Sequence, residues 1–293
     1  MRMNVMKHNF LTGFGGNTIH YQATGNGPAL VCCNGVGVST IFWKYIHQYF
    51  CEDHTIVTWD YRGHGLSGPA ANFEGWSIQN VVEDLLEVMD DAEIEKAVLL
   101  GHSMGVQVIL EAQRMAPDRV SGLIPVCGTY GDPIKTFLNF PFSYQLFKVT
   151  HYLGMNKTKI MQSIVRRLVD QSFTFNVARL FLIDPQLASR EDFVPYFEHI
   201  KNLDVRVFFT MAAAAVAHSA EDHLPYIDCP VLVIGGENDI FTPFELCERM
   251  ARMIPKAELL RIRKGSHASI IEQPELINLR IEKFFRERIP KWE

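Results

Sequence analysis

Short, uninterrupted apolar runs recur along the chain, most of them breaking off at a glycine, asparagine or aspartate. Ala29–Cys33 stops at Asn34-Gly35, residues 55–59 stop at Asp60, and residues 97–100 stop at Gly101. Residues 123–126, residues 231–234 (followed by Gly235-Gly236) and residues 259–262 repeat the pattern. Runs this short, bounded by loop signals, read as strands buried on both faces, which is the habit of parallel sheets. Between them the apolar period changes to that of a helix. Residues 78–89 gather Val81, Val82, Leu85, Leu86 and Met89 on one face, and residues 106–115 and Phe244–Met253 read the same way. A last helix over about 274–288 begins at Pro274, where a first helical turn needs no backbone donor. Strands alternating with helices predict a parallel sheet covered by helices on both faces.

Residues 130–223 interrupt the alternation. They are helical in period and rich in aromatics, with Phe137, Phe140, Phe142, Tyr144, Phe147 and Tyr152 crowded near the start. Nothing in the segment combines a strand run with flanking loop signals, and it is too long for a structureless loop. It reads as a helical insertion dividing a core made of residues 1–129 and 224–293. Its aromatic side chains either line an apolar pocket or form the insertion's own core, and the sequence leaves both readings open.

Composition narrows the function classes. A chain of 293 residues with 47% hydrophobic and 21% charged residues can bury a core without disulfides or metals. The formal net charge of −5 argues against a nucleic-acid partner, which calls for a basic stripe. The six cysteines have no metal-ligand spacing and are expected to be buried free thiols. Cys32 and Cys33, neighbours on one strand, are expected to face opposite ways. With no secretory leader and no run of ~18 apolar residues to span a membrane, a cytoplasmic location is expected.

The chemistry begins at Gly101-His102-Ser103-Met104-Gly105, which follows a strand run and opens a helical one. A strand-to-helix turn this sharp strains the serine backbone and presents its hydroxyl above the sheet edge, and the helix N-terminus favours developing negative charge. Small residues are needed two positions to either side because neighbouring chains pass closely. Ser103 is therefore the predicted nucleophile. A serine hydroxyl needs a base, and of eleven histidines His267 has the right context: it sits in Lys264-Gly265-Ser266-His267-Ala268, after the last strand run. Asp239 follows the fifth run and is the predicted carboxylate, with Glu237 and Asp132 as rivals. All three lie on loops at the carboxyl ends of strands, hence on one rim. The oxyanion of an acyl intermediate requires two backbone donors, expected from Met104 and from Val36 in the loop Asn34-Gly35-Val36-Gly37. Asn34, Gly35, Gly101, His102 and Gly105 are expected to support this site. His218 and His223 flank Glu221 and Asp222, but at no familiar metal-ligand spacing.

These motifs, in this order, resemble the α/β-hydrolase superfamily, in particular its esterase-like members with a helical cap. Asp239 and Pro243 match the acid loop, Gly265-Ser266-His267 the histidine loop, and Asp60-Tyr61-Arg62-Gly63-His64-Gly65-Leu66-Ser67 a segment after an early strand that reads as mainly structural. Asn34 departs from the His-Gly found in many relatives. The resemblance implies an eight-stranded, mostly parallel sheet with a cap over Ser103, and a serine hydrolase that cleaves a small-molecule carboxylic ester, without metal or organic cofactor. Thioester, lactone and carbon–carbon bond hydrolysis and cofactor-free haloperoxidation use the same triad and stay open, as does a non-catalytic ligand-binding relative. Epoxide hydrolases and haloalkane dehalogenases are disfavoured, since their relatives carry aspartate where this chain has Ser103.

Overall fold

The computed structural model describes residues 7–70, 72–135, 141–169, 187 and 189–289. In chain order the strands are β1 (Lys7–Thr12), β2 (Thr18–Thr24), β3 (Ala29–Cys33), β4 (Thr55–Asp60), β5 (Ala97–His102), β6 (Val120–Val126), β7 (Val231–Gly236) and β8 (Ala257–Ile262). The α-helices are α1 (Lys44–Phe50), α2 (Ile78–Asp91), α3 (Met104–Met115), α4 (Ser143–Asn156), α5 (Thr158–Leu168), α6 (Arg190–Asn202), α7 (Val205–Ala217), α8 (Phe244–Met253), α9 (Ser269–Glu272) and α10 (Pro274–Arg288). The eight strands form one sheet in the order β1-β2-β4-β3-β5-β6-β7-β8. Pairing is parallel from β4 through β8, while β1 and β2 add on antiparallel.

The six apolar runs are β3 to β8, within three residues at their ends. β3, β5 and β7 are buried at every position, as expected of strands covered on both faces. β1 and β2 gave no such run: Thr18–Thr24 alternates polar and apolar residues, the pattern of a strand half open to solvent, and Lys7–Thr12 opens with three polar residues. The edge strand β8 is only partly covered.

Two apolar layers sandwich the sheet. Val81, Leu85 and Met89 of α2, Val108 and Ile109 of α3 and Met250 of α8 pack on one face. Ile46 and Phe50 of α1 and Ile277, Ile281 and Phe284 of α10 pack on the other, joined by Phe193 and Phe197 of α6. Cys33 faces the first layer and Cys32 the second, as alternation along a strand requires. All six cysteines are unpaired.

Helices α4 to α7 fall between β6 and β7, within the stretch read as an insertion. Of the aromatics that crowd its start, Phe137 and Phe140 lie outside the described residues, and Phe142, Tyr144 and Tyr152 are exposed. Phe147 is partly buried and borders a small cavity.

Phe284→Ala removes a ring that is fully buried and is expected to lower the unfolding free energy by ~3–5 kcal/mol. Leu279→Ala on the same helix, at a side chain 58% exposed, is expected to change it by less than ~0.5 kcal/mol. Urea denaturation of the two variants checks the assignment of the inner face of α10.

Candidate active site

Ser103 stands between the last residue of β5 and the first of α3, in a backbone conformation (φ 56°, ψ −117°) that non-glycine residues rarely adopt. Its surroundings hold it there. A Cβ at Gly105 would lie 2.1 Å from the carbonyl oxygen of Cys33, and one at Gly101 would lie 2.3 Å from that of Gly105. No side chain fits either position, so three backbones close on the turn. The Ser103 N–H donates to the Val126 carbonyl at 3.1 Å, and the Ser103 carbonyl accepts from Val106 at 3.1 Å. The serine is pinned to β6 and to its own helix.

The predicted base and acid meet. β7 and β8 pair in parallel register to Gly236 and Ile262, and their following loops stay together: the Glu237 N–H donates to Ile262 at 3.0 Å and the Asn238 N–H to Gly265 at 2.8 Å. Across them His267 Nδ1 donates to Asp239 Oδ2 at 2.9 Å. The buried carboxylate is fully occupied. Oδ1 accepts the N–H groups of Phe241 and Thr242, both at 2.9 Å, and Oδ2 also accepts the Thr242 hydroxyl at 2.7 Å. Burial alone would raise the Asp239 pKa, but His267 and the Thr242 donors outweigh it and hold the group below its ordinary value. With its proton on Nδ1, the imidazole keeps Nε2 as the free base. The rivals are placed elsewhere: Glu237 is exposed and pairs with Arg261, and Asp132 accepts from Ile134 and from the Tyr144 hydroxyl.

Ser103 and His267 border one cavity of about 250 Å³. Its walls are mostly aromatic: Phe42, Phe193, Tyr196, Phe197, Phe208 and Phe241. No hydrogen bond joins the Ser103 hydroxyl to the imidazole among the described residues. Such contacts are often loose without substrate and close in the complex.

The loop after β3 lies against the serine, because Cys33 and Gly101 are register partners. Asn34 is fully buried and anchors the loop: its Nδ2 donates to the Trp59 carbonyl at 2.7 Å, its Oδ1 accepts Trp43 Nε1 at 2.6 Å, and its carbonyl accepts the Tyr61 hydroxyl at 2.8 Å. The side chain that departs from the His-Gly pattern thus has both ends of its amide bound. Gly37 donates to His64 Nε2 at 3.2 Å, while His64 Nδ1 donates to the Arg62 carbonyl at 3.2 Å. Among the described residues nothing accepts the N–H of Val36 or of Met104.

The sequence model of the Alpha/beta hydrolase family matches residues 30–278, from β3 into the first turns of α10. The chain belongs to the alpha/beta hydrolase family. Among curated proteins it is 26% identical over 268 residues to a protein of Stutzerimonas stutzeri named "Putative carbamate hydrolase RutD", covering 89% of this chain and 94% of that protein. Among solved structures, a thermophilic esterase from Thermogutta terrifontis superposes with a TM-score of 0.77 at 22% identity, covering 97% of this chain and all of the other. The enol-lactonase of Burkholderia xenovorans superposes with a TM-score of 0.78 at 20% identity, covering 95% of this chain and all of the other.

Within this alpha/beta hydrolase several supporting residues escaped sequence reasoning. Thr242 orients Asp239, and Glu272 fixes the histidine loop by accepting from Ser266 through its N–H at 3.0 Å and its hydroxyl at 2.6 Å. The signal for Thr242 was available, since a threonine three residues after an aspartate in a tight loop is placed to bond back to it. Glu272 gave none, because it sits in a single helical turn. The segment 60–67 is a bracket, as expected: Asp60 accepts from His20 Nδ1 at 2.8 Å and from Leu66 N–H at 3.0 Å, and Arg62 pairs with the buried Asp84. His102 donates from Nε2 to the His267 carbonyl at 2.9 Å. His218 pairs with Glu111 and His223 with Gln113.

Two of these histidines are held neutral. Burial, then the neighbouring His199, lowers the His64 pKa to about 4. Burial, then His267, lowers that of His102 to about 3. The unfolded chain protonates both near 6.5, so it takes up protons that the fold refuses. The stability these two groups contribute is therefore complete above pH 6.5 and is lost as the pH falls through 4 toward 3. Denaturation at stepped pH is expected to show this decline, and His64→Gln is expected to flatten it. An unchanged slope in the variant would contradict the assignment.

Proposed function

We propose that the protein is a serine hydrolase that cleaves a carboxylic ester through an acyl-enzyme on Ser103. The observation that carries this reading is the 2.9 Å bond from His267 to the buried Asp239 beside a cavity that His267 shares with Ser103. A base with a fixed tautomer, a strained serine and two unused backbone donors meet at one rim. Each supplies a different requirement of acyl transfer.

In the first step His267 Nε2 accepts the hydroxyl proton as Ser103 Oγ attacks the acyl carbon. Asp239 stabilises the imidazolium, and the neutral His102 beside it adds no opposing charge. The N–H groups of Val36 and Met104 receive the oxyanion. His267 then protonates the departing alkoxide, and an ester of Ser103 remains. Water, deprotonated by the same imidazole, attacks that ester and releases the acid. Helices α4 to α7 act as a cap: α6 and α7 supply four of the rings over the serine, namely Phe193, Tyr196, Phe197 and Phe208. That apolar ceiling suits a hydrophobic acyl or alcohol group. The names of the relatives, a carbamate hydrolase, an esterase and an enol-lactonase, agree with cleavage of an acyl–heteroatom bond.

Steady-state hydrolysis of small aryl esters tests the reading. Ser103→Ala is expected to lose at least ~10⁴-fold in kcat while its circular dichroism stays that of the parent. Wild-type turnover in a folded Ser103→Ala variant would overturn it.

A further inference from the structure

Ser103 borders two cavities. Besides the aromatic one of about 250 Å³, it borders a second of about 90 Å³. Ser103 and Val36 belong to both. The remaining walls differ. His267 borders only the large cavity, whereas Met104 borders only the small one, with Gln107, Thr129, Phe147, Ala212 and Ala215. The small cavity is rigidly bounded. The Gln107 amide donates to the Ala215 carbonyl at 2.9 Å and to the Gly131 carbonyl at 3.3 Å, which ties α3 to α7 and to the loop after β6. The large cavity has between two and three times the volume of the small one.

This asymmetry, read on the mechanism proposed above, orients the substrate. The acyl carbon bonds to Ser103 and its oxygen faces Val36 and Met104, while the leaving oxygen must reach His267 to take its proton. The leaving alcohol therefore departs into the cavity that contains His267, and the acyl substituent occupies the one that does not. We infer that the site is built for esters of a short acyl group with a bulky, ring-bearing alcohol, and discriminates against the reverse arrangement. Bond changes are those of ordinary hydrolysis: the alcohol leaves with the serine proton, and water adds across the acyl-enzyme to free a small carboxylic acid.

Two isomeric esters separate the orientations without any change in composition. 2-Phenylethyl acetate places the ring on the alcohol, and methyl 3-phenylpropanoate places it on the acid. The expected kcat/KM is at least tenfold higher for the acetate. Equal rates or the opposite preference, with turnover abolished by Ser103→Ala, would overturn the orientation and leave the serine hydrolase reading intact. If neither ester shows turnover that depends on Ser103, both fall. A second measurement addresses the small cavity itself. Phe147→Ala is expected to raise the hexanoate-to-acetate ratio of kcat/KM for 2-phenylethyl esters at least fivefold, and Ala212→Val to lower it. A chain-length profile unmoved in both variants would place the acyl group elsewhere and overturn the assignment.

Discussion

The structure depends on how closely three backbones approach at the end of β5. Ser103 can hold a left-handed conformation because the Gly101 and Gly105 positions leave no room for side chains and because β6 and α3 bond its N–H and carbonyl. Strain of this kind costs ~1–3 kcal/mol and persists only where surroundings overdetermine it. Here they do: β5 lies at the centre of the sheet, with the apolar layers of α2, α3 and α8 on one face and of α1 and α10 on the other. A serine in an extended strand would point its hydroxyl into one of those layers. The turn instead lifts it to the rim where the loops after β3, β7 and β8 arrive.

Electrostatics at that rim follows from which groups are saturated and which are not. Asp239 accepts four hydrogen bonds and stays ionised despite burial. His64 and His102 spend their ring donors on backbone carbonyls and stay neutral. The neighbouring loop is equally fixed, with Asn34 between Trp43 and Trp59 and His64 beneath Gly37. Among the described residues the Ser103 hydroxyl, the N–H groups of Val36 and Met104, and Nε2 of His267 make no hydrogen bond. The proposed chemistry uses these four groups.

Much of this was legible in the sequence. Buried parallel strands announce themselves as apolar runs, and a chain that alternates them with helices places every strand's end on a common rim. Ser103, Asp239 and His267 could therefore be chosen by position, without a structure. β1 and β2 were missed because a half-exposed antiparallel strand lacks that run. The walls of the cavities were legible only in part, because the aromatics of residues 130–223 could line a pocket or form a core of their own. The dense aromatic stretch that opens residues 130–223 drew attention, yet the rings over the serine come from α6 and α7, spaced at Phe193, Tyr196, Phe197 and Phe208. Helical spacing shows that such residues share a face but not what that face covers. Asn34 departs from the His-Gly of many relatives, and its amide is bound at both ends by tryptophans that lie nine and twenty-five residues downstream.

The central claim is that Ser103 is activated by His267 in the folded protein. Reaction with a fluorophosphonate, followed by peptide mass spectrometry, tests it most directly. The account requires one covalent adduct, on Ser103, formed in the native chain and lost in His267→Ala. Native protein that stays unlabelled, or that labels at Ser103 equally fast without His267, would contradict it.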